Sequence, residues 1–301
     1  MKKRFEELII KNLRINNSMS DRKRIAIVGV GLIGGSLALQ LNEKGLASRL
    51  IGVDSNRDHQ KKALELGLVD EIMDLDEAIN NSDVVILAIP VDALVKIMPH
   101  VLDKINNHVL IDMGSTKSEL MSIANDHPKR GRYVATHPMW GTEYSGPQAA
   151  VHGAFENTAV IICNANESDE DALEWTKNMY KKIGMHLLEM DAVAHDLHAA
   201  YVSHISHITS FALANTVLEK EKEDDAIFEL ASAGFASTVR LAKSNPSMWV
   251  PIFMQNRENV LDVLNEHISQ LRKFKSCLEK ENYEYLQELI ENANKIRRII
   301  K

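Results

Sequence analysis

The chain has 301 residues, enough for two domains, and its 45% hydrophobic and 26% charged residues are ordinary for a globular protein. A net charge of -7 argues against nucleic acid as a partner, so an anionic ligand would need local Arg, Lys and helix ends. The two cysteines form neither a disulfide framework nor a zinc motif, and no apolar run is long enough to span a membrane. We therefore expect a cytoplasmic protein with no membrane partner.

Residues 1–22 form a charged lead-in to which we assign no function. After it, three glycines with the spacing G-x-G-x-x-G follow an apolar run at residues 25–28 and begin a predicted helix. This spacing allows a tight turn, a close backbone approach to a pyrophosphate and close packing of the helix, whose N-terminus favours the anion. It predicts a dinucleotide site rather than a glycine-rich turn without a ligand. The residues that would contact the dinucleotide are Gly29, Gly31, Leu32, Ile33 and Gly34.

Asp54 ends a second apolar strand, at residues 50–53, and lies about 20 residues after the last glycine. A carboxylate at this spacing binds the adenosine ribose hydroxyls in dinucleotide-binding folds. It would also repel a 2′-phosphate, which favours NAD over NADP as the cofactor. Arg57 lies close enough to weaken that preference.

Strand and helix patterns alternate as far as residue 190. Further strands are predicted at residues 84–89, 109–112, 133–136, 158–163 and 186–188, with helices at 59–66, 76–80, 92–102, from 118, and at 169–183. Residues 23–190 are therefore predicted to form a Rossmann-type, doubly wound parallel sheet. Beyond that point only helices are predicted, at residues 191–220, 228–243, 248–278 and 283–300. Residues 191–301 should thus form an all-α substrate and dimerisation domain, because helices with such broad apolar faces commonly bury each other across a dimer.

Polar residues follow several predicted strands at their carboxyl ends, where open parallel sheets bind ligands. Pro90 is expected to line the cofactor, and Ser115 and Glu143 lie in two polar clusters of this kind. His137 has a pKa range suited to proton transfer. Its position at a strand end, with Pro138 behind it, favours a catalytic role over a surface or capping role.

The predicted helix over residues 191–220 carries four histidines. On an ideal α-helix, positions 195 and 198 face away from 204 and 207, and no cysteine or carboxylate cluster completes a ligand set. We therefore expect no metal site. The polar residues of its second half, which either line a pocket or face solvent, are Ser203, His204 and His207.

Arg240 lies between apolar residues. Its guanidinium matches carboxylate geometry, so it is expected to pair with a carboxylate of the protein or of a ligand. Trp249, which follows in the same segment, is a residue type most often found in a core.

Together these motifs resemble the prephenate dehydrogenase family of tyrosine biosynthesis. The matching segments, in the family's order, are residues 29–36, 112–117, 137–143, 203–207 and 240–249. The resemblance implies NAD-dependent oxidative decarboxylation of prephenate to 4-hydroxyphenylpyruvate, CO₂ and NADH; the homodimer is expected from the apolar helix faces described above. It also implies that His137 accepts the substrate hydroxyl proton or a hydrogen bond from it, and that Ser115 orients this contact. The residues it implies at the substrate are Arg240 on a carboxylate, His207, Ser203 and Trp249 around it, and Glu143 as a gating or pairing residue.

Three alternatives stay open. An arogenate dehydrogenase would act on a side chain that carries an amine instead of a ketone, and nothing in the sequence separates it firmly. A β-hydroxyacid or imine reductase typically uses a lysine of its helical half as an acid. The predicted helix at residues 191–220, which carries the four histidines, has no lysine before Lys220. A non-catalytic NAD-responsive protein would lack residues such as His137 and Arg240.

Overall fold

The structure, a computed structural model, describes residues 22–221, 230 and 232–299. The predicted lead-in lies outside these residues except for Arg22, and so does part of the predicted helix at 228–243. None of the helices formed by the described residues is long and apolar enough to cross a membrane.

Strands and helices alternate in the first part of the chain, as predicted. Their bounds are β1 Lys23–Val28, α1 Leu32–Glu43, β2 Ala47–Val53, α2 Arg57–Glu65, β3 Glu71–Ile72, α3 Leu75–Asn80, β4 Val84–Leu87, α4 Val91–Lys104, β5 Val109–Asp112, α5 Ser118–Ala124, β6 Tyr133–Pro138, β7 Ala159–Cys163, α6 Glu170–Lys182 and β8 His186–Met190. The strand predicted at residues 84–89 ends two residues early, and the two-residue strand β3 was not predicted.

The described strands form one sheet with the order β3-β2-β1-β4-β5-β6-β7-β8. All neighbours are parallel except β6 and β7, which the prediction of a parallel sheet did not anticipate. The described segment between β6 and β7 contains one short 3-10 turn, at Pro147–Ala149, and no crossover α-helix. A parallel pairing requires such a crossover, so β7 returns antiparallel.

Both faces of the sheet are buried, as a doubly wound fold requires. Along β1, Ile25 and Ile27 enter one hydrophobic cluster, and Ala26 and Val28 enter the cluster on the opposite face. Trp249, from the C-terminal half, is buried in the second cluster. The helical half therefore packs directly on one face of the sheet domain.

The C-terminal half is helical throughout its described residues. It consists of α7 Ala192–Ala199, a π-helical turn Ala200–His204, α8 Ile205–Glu221, α9 Ala233–Thr238, a 3-10 turn Arg240–Lys243, α10 Pro246–Gln255, α11 Arg257–Glu279, α12 Tyr283–Asn294 and a 3-10 turn Lys295–Arg298. The pattern at residues 248–278 was predicted as one helix but forms two, α10 and α11, which break at Asn256. The helix predicted at 283–300 ends at Asn294. The prediction of a domain boundary near residue 190 remains a prediction.

Side-chain caps fix the starts of helices near the sheet edge. The Oδ1 of Asn56 accepts the N–H groups of Asp58 and His59 in α2, and Asp191 accepts the N–H of Ala194 in α7. Such caps satisfy backbone donors that have no partner within the helix.

Candidate active site

The glycine turn has the shape that a pyrophosphate requires. Gly29 has φ of 92° and packs against the carbonyl of Ala88, and a Cβ on Gly34 would overlap the carbonyl oxygen of Gly29. A Cβ on Gly31 would instead meet nothing within 4 Å among the described atoms. The turn is therefore closed on its protein side and open at the N-terminus of α1, where an anion is favoured. These residues fit a dinucleotide.

Asp54 is held beside this turn. Its Oδ2 accepts the N–H of Val30 at 3.2 Å, and its Oδ1 accepts the N–H of Asn56 at 2.9 Å. Nδ1 of His59 lies 3.5 Å from Oδ2. Arg57, at the start of α2, is exposed and forms no ion pair with the residues that the structure describes. The carboxylate is thus fixed beside the glycine turn, and its contact with the ribose of a dinucleotide remains a prediction.

The other predicted cofactor contacts lie around the same turn. Leu32 and Ile33 form the start of α1 and are half-buried. Pro90 is exposed and precedes α4, just beyond the carboxyl end of β4. Their contact with a dinucleotide remains a prediction.

A buried ion pair supports the loop that follows β5. Lys117 Nζ donates to Oδ2 of Asp112, and both side chains are fully buried. Oδ1 of the same carboxylate accepts the hydroxyl of Tyr133 at 2.8 Å and the N–H of Thr136 at 3.2 Å. Burial, followed by the charge of Asp112, raises the pKa of Tyr133 well above its ordinary value, so the phenol remains a donor. This network holds the residue before His137 in place.

His137 makes a hydrogen bond that the sequence did not suggest. Its Nδ1 lies 2.9 Å from Nε2 of His195, and Nδ1 of His195 lies 2.8 Å from Oδ1 of Asp196. Position 195 was expected to face away from positions 204 and 207, and this is wrong for His195, which is buried as His204 is; His198 is exposed. Ser115 is half-buried and its hydroxyl makes no hydrogen bond to any described residue. Its predicted contact with His137 is thus not formed in this structure.

The environment keeps His137 neutral. Its pKa is lowered well below the ordinary value, first by burial and then by electrostatic interactions with His195, Lys117 and His204. An unprotonated imidazole at neutral pH is the form that can act as a base.

The predicted substrate-binding residues form a second group. His207 stacks on Trp249 with ring centroids 3.4 Å apart, and its Nδ1 lies 3.1 Å from the carbonyl oxygen of Ser203. Burial lowers the pKa of His207, and the positive charge of Arg240 lowers it further. Arg240 also lies 3.3 Å from Glu143.

His204 lies beside Trp249 of this second group. It packs edge-on against Trp249, with centroids 6.0 Å apart, and its Nδ1 lies 3.1 Å from Nδ2 of Asn256. It is buried, so the alternative of a solvated position is wrong for His204, and its place in the lining of a pocket remains a prediction. Nε1 of Trp249 has no hydrogen-bond partner among the described residues.

The described residues contain no group of three or more His, Cys, Asp or Glu arranged to hold a metal ion. Among these groups, His137 is able to accept a proton, and Arg240 and the N-terminus of α1 are able to bind an anion.

Comparison with known proteins agrees with this arrangement. The family model described as the nucleotide-binding domain of prephenate dehydrogenase matches residues 37–189, and the model for its dimerization domain matches residues 191–292. The chain belongs to the prephenate dehydrogenase family. This is a family of NAD-dependent oxidoreductases, so the predicted family and enzyme class are confirmed.

Individual members of the prephenate dehydrogenase family are similar over most of the chain. The prephenate dehydrogenase of Bacillus subtilis is 32% identical, over 93% of this chain and 76% of that protein. Arogenate dehydrogenase 1 of Arabidopsis thaliana, a chloroplastic protein, is 25% identical over 75% of this chain and 36% of that protein. The crystal structure of prephenate dehydrogenase from Aquifex aeolicus, in complex with hydroxyphenyl propionate and NAD⁺, has a TM-score of 0.85 and 30% identity. The aligned region covers 93% of this chain and 98% of the Aquifex chain.

Proposed function

We propose that the protein is a prephenate dehydrogenase that uses NAD⁺ and releases 4-hydroxyphenylpyruvate, CO₂ and NADH. The observation that carries this proposal is a neutral His137 at the carboxyl end of β6, held by His195, in a chain whose Arg240 can bind an anion. The family to which the chain belongs and the NAD⁺ complex of the Aquifex relative support the same reaction.

The reaction needs a base near the substrate hydroxyl. Prephenate is a cyclohexadiene with a hydroxyl, a ring carboxylate and a pyruvyl side chain. His137 accepts the hydroxyl proton as the ring carbon is oxidised, the bond from the ring to its carboxylate breaks, and CO₂ leaves. The electrons of that bond complete the aromatic ring, which makes the overall reaction favourable. Ser115, next to the buried pair of Asp112 and Lys117, would complete its contact with His137 only when the substrate is bound.

The cofactor site is the open glycine turn, where Gly31 leaves room for the pyrophosphate and Asp54 binds the ribose. When bound, NAD⁺ supplies the acceptor for the hydride that leaves the hydroxyl-bearing ring carbon. Pro90 and the side chains of Leu32 and Ile33 line the approach to this site.

The substrate carboxylates explain the second group of residues. Arg240 binds one carboxylate, and His207 and Ser203 complete a polar wall, with Trp249 as its apolar support. Without substrate, the carboxylate of Glu143 pairs with the guanidinium of Arg240. Glu143 and the substrate carboxylate therefore compete for Arg240.

A homodimer is the proposed assembly. The match to a dimerization domain over residues 191–292 supports it. So do large apolar side chains that are more than 45% exposed on three helices of this half: Leu218 on α8, Met254 on α10 and Leu261 on α11. We place the enzyme in the cytoplasm, where a reduced Cys163 and Cys277 are expected.

Arogenate is the second candidate substrate, because Glu143 offers a carboxylate beside Arg240 that could bind the side-chain amine of arogenate. Its side chain is only 17% exposed, and once Arg240 binds the substrate, Glu143 is free to pair with an amine. A relative named arogenate dehydrogenase is also among the similar proteins.

The absorbance of NADH or NADPH, followed with prephenate or arogenate and with NAD⁺ or NADP⁺ respectively, tests these proposals. We expect fast turnover with prephenate and NAD⁺. Turnover with arogenate but not with prephenate would support the same reaction and change only the proposed contact to the side chain of the substrate. Absence of turnover with both would contradict the proposed function and favour a reductase acting on another ligand.

A further inference from the structure

Asp196 ends a chain of hydrogen bonds that begins at His137. Its Oδ1 lies 2.8 Å from Nδ1 of His195, whose Nε2 lies 2.9 Å from Nδ1 of His137. The same carboxylate accepts the backbone N–H groups of Lys117 and Ser118, both at 2.8 Å. The carboxylate is therefore fixed by the loop before α5, and it fixes His195 in turn.

The carboxylate determines where the protons of this chain lie. Burial would raise the pKa of Asp196, but hydrogen bonds from His195 and Ser118 outweigh it and lower the pKa, so Asp196 is ionised at neutral pH. An ionised carboxylate only accepts hydrogen bonds, so Nδ1 of His195 carries a proton. In a neutral His195, Nε2 then carries a lone pair and can only accept a hydrogen bond. The donor must therefore be an N–H on Nδ1 of His137. Nε2 of His137 is left unprotonated.

We propose that His195 is a positioning residue that holds His137 in the tautomer with a basic Nε2 and transmits the positive charge formed during turnover to the side of Asp196. The proposal rests on the proposed function, in which His137 accepts the substrate hydroxyl proton. It extends that function by assigning a role to two residues behind the base.

The proton balance is closed. The substrate hydroxyl proton forms an N–H bond at Nε2 of His137, and the proton on Nδ1 of His137 moves to Nε2 of His195. His195 is then an imidazolium beside the carboxylate of Asp196, and His137 is neutral again. After CO₂ leaves, both protons return along the same bonds, and the phenolate of the product becomes a phenol. The chain gains no net proton.

The surroundings favour Asp196 as the balancing charge. Lys117 and His204 are the other titratable groups that act on His137. Lys117 is paired with Asp112, and burial lowers the pKa of His204 to about 4, so that this ring is neutral. Asp196 is therefore the carboxylate that can stabilise a proton shared by the two imidazoles.

The first experiment compares His195→Leu and His195→Gln with His198→Leu, a control on the exposed side of the same helix. His195→Leu removes the acceptor for His137, and we expect kcat to fall about 10- to 1,000-fold with KM changed less than about threefold. The amide oxygen of His195→Gln can still accept the N–H of His137, so about tenfold of the loss or more should be recovered. His198→Leu should match the wild type. A kcat in His195→Leu within about threefold of the wild type would overturn the proposal.

The second experiment needs no turnover. Long-range ¹⁵N–¹H correlation spectra of the full chain with ¹⁵N-labelled histidine distinguish the two neutral tautomers, and His137→Asn identifies the His137 signal among the 12 histidines. We expect a protonated Nδ1 and an unprotonated Nε2 in the wild type near neutral pH. The opposite tautomer would overturn the proposal even if the enzyme is active, or if His195→Leu fails to fold. An inactive wild type with the expected tautomer would contradict only the proposed function.

Discussion

The guanidinium Nη1 of Arg240 lies 3.3 Å from Oε2 of Glu143, which joins the helical half to the loop after β6. The Arg240 side chain is 54% exposed. Ion pairs at such positions contribute only about 0–1 kcal/mol, so a substrate carboxylate can displace Glu143 at small cost.

The first prediction concerns this ion pair. Arg240→Gln should raise the KM for prephenate roughly tenfold, because a charge-assisted hydrogen bond to the substrate is lost. Glu143→Gln should lower the same KM by at most about fivefold, because the competing carboxylate is removed. Steady-state kinetics check both, with Arg257→Gln, at another exposed arginine, as the control. An unchanged KM together with a lower melting temperature in Arg240→Gln would show that the pair is only structural.

The second prediction compares two glycines of the turn, one open to a ligand and one packed against the protein. Gly31→Ala should leave the melting temperature nearly unchanged, because its Cβ meets no described atom within 4 Å and its φ of -77° suits alanine. It should raise the Kd for NAD⁺ at least tenfold, because the Cβ would occupy the space of the pyrophosphate. Gly34→Ala should instead destabilise the fold, since its Cβ would overlap the carbonyl oxygen of Gly29. Calorimetry measures both quantities, and unaltered NAD⁺ binding in Gly31→Ala would remove the pyrophosphate from this position.

The third prediction concerns the choice of cofactor. Asp54→Ala should raise the KM for NAD⁺ and improve the relative use of NADP⁺, because the repulsion of a 2′-phosphate is lost while Arg57 remains nearby. The control is Asp58→Ala, since Asp58 is exposed in the first turn of α2. The measurement is the ratio of kcat/KM for the two cofactors. An unaltered ratio would show that Asp54 does not contact the ribose.

Much of the fold could be predicted because apolar runs, glycines and prolines act locally. The runs that became β1, β2 and β5 are continuous and bounded by turn residues, and they are buried on both faces. β3 has only two residues, too few for any periodic signal. The direction of β7 depends on how the chain returns from β6, which periodicity does not encode. The break at Asn256 arises from tertiary contacts, because its side chain donates to the carbonyl of Asp196 at 2.6 Å.

The site was predictable where it depends on strand ends and not where it depends on helix phase. His137 could be identified because it lies at the carboxyl end of β6. On an ideal α-helix, positions 195 and 204 lie about 180° apart, so α-helical spacing places them on opposite sides of the helix. The π-helical turn Ala200–His204 inserts one extra residue into the helix and rotates the later positions by roughly a quarter turn. Both histidines are therefore buried on the side of Asp196, which a calculation with α-helical spacing cannot show.

The fourth prediction concerns the base itself. His137→Asn should lower kcat by about two to four orders of magnitude, because the proton acceptor is removed. The Kd for NAD⁺ should change little, since the glycine turn follows β1 and His137 belongs to β6. Stopped-flow or steady-state assays measure kcat, fluorescence titration measures the Kd, and His198→Asn is the control. A variant with near-normal kcat would exclude His137 as the base.

The fifth prediction concerns stability against pH. Burial lowers the pKa of His204 to about 4 in the folded protein, and protonation of its Nδ1 would also end the hydrogen bond from Nδ2 of Asn256. Between pH 6.5 and 4 the unfolded chain therefore binds a proton that the folded chain does not, so stability falls as the pH falls through this window, by on the order of 3 kcal/mol for this residue. Carboxylates with a lowered pKa, such as Asp83 and Asp196, lose their contribution only below about pH 4.

Urea unfolding at several values of pH between 7 and 4 measures this effect. His204→Gln keeps an acceptor for Asn256 but cannot be protonated, so its free energy of unfolding should fall less steeply over this window than that of the wild type. His137 and His207, whose pKa values are also lowered, remain in the variant and contribute the residual slope. His198→Gln, at an exposed position, should keep the wild-type slope. Parallel curves for the wild type and His204→Gln would mean that His204 titrates near its ordinary pKa, and the burial of its ring would then have no energetic consequence.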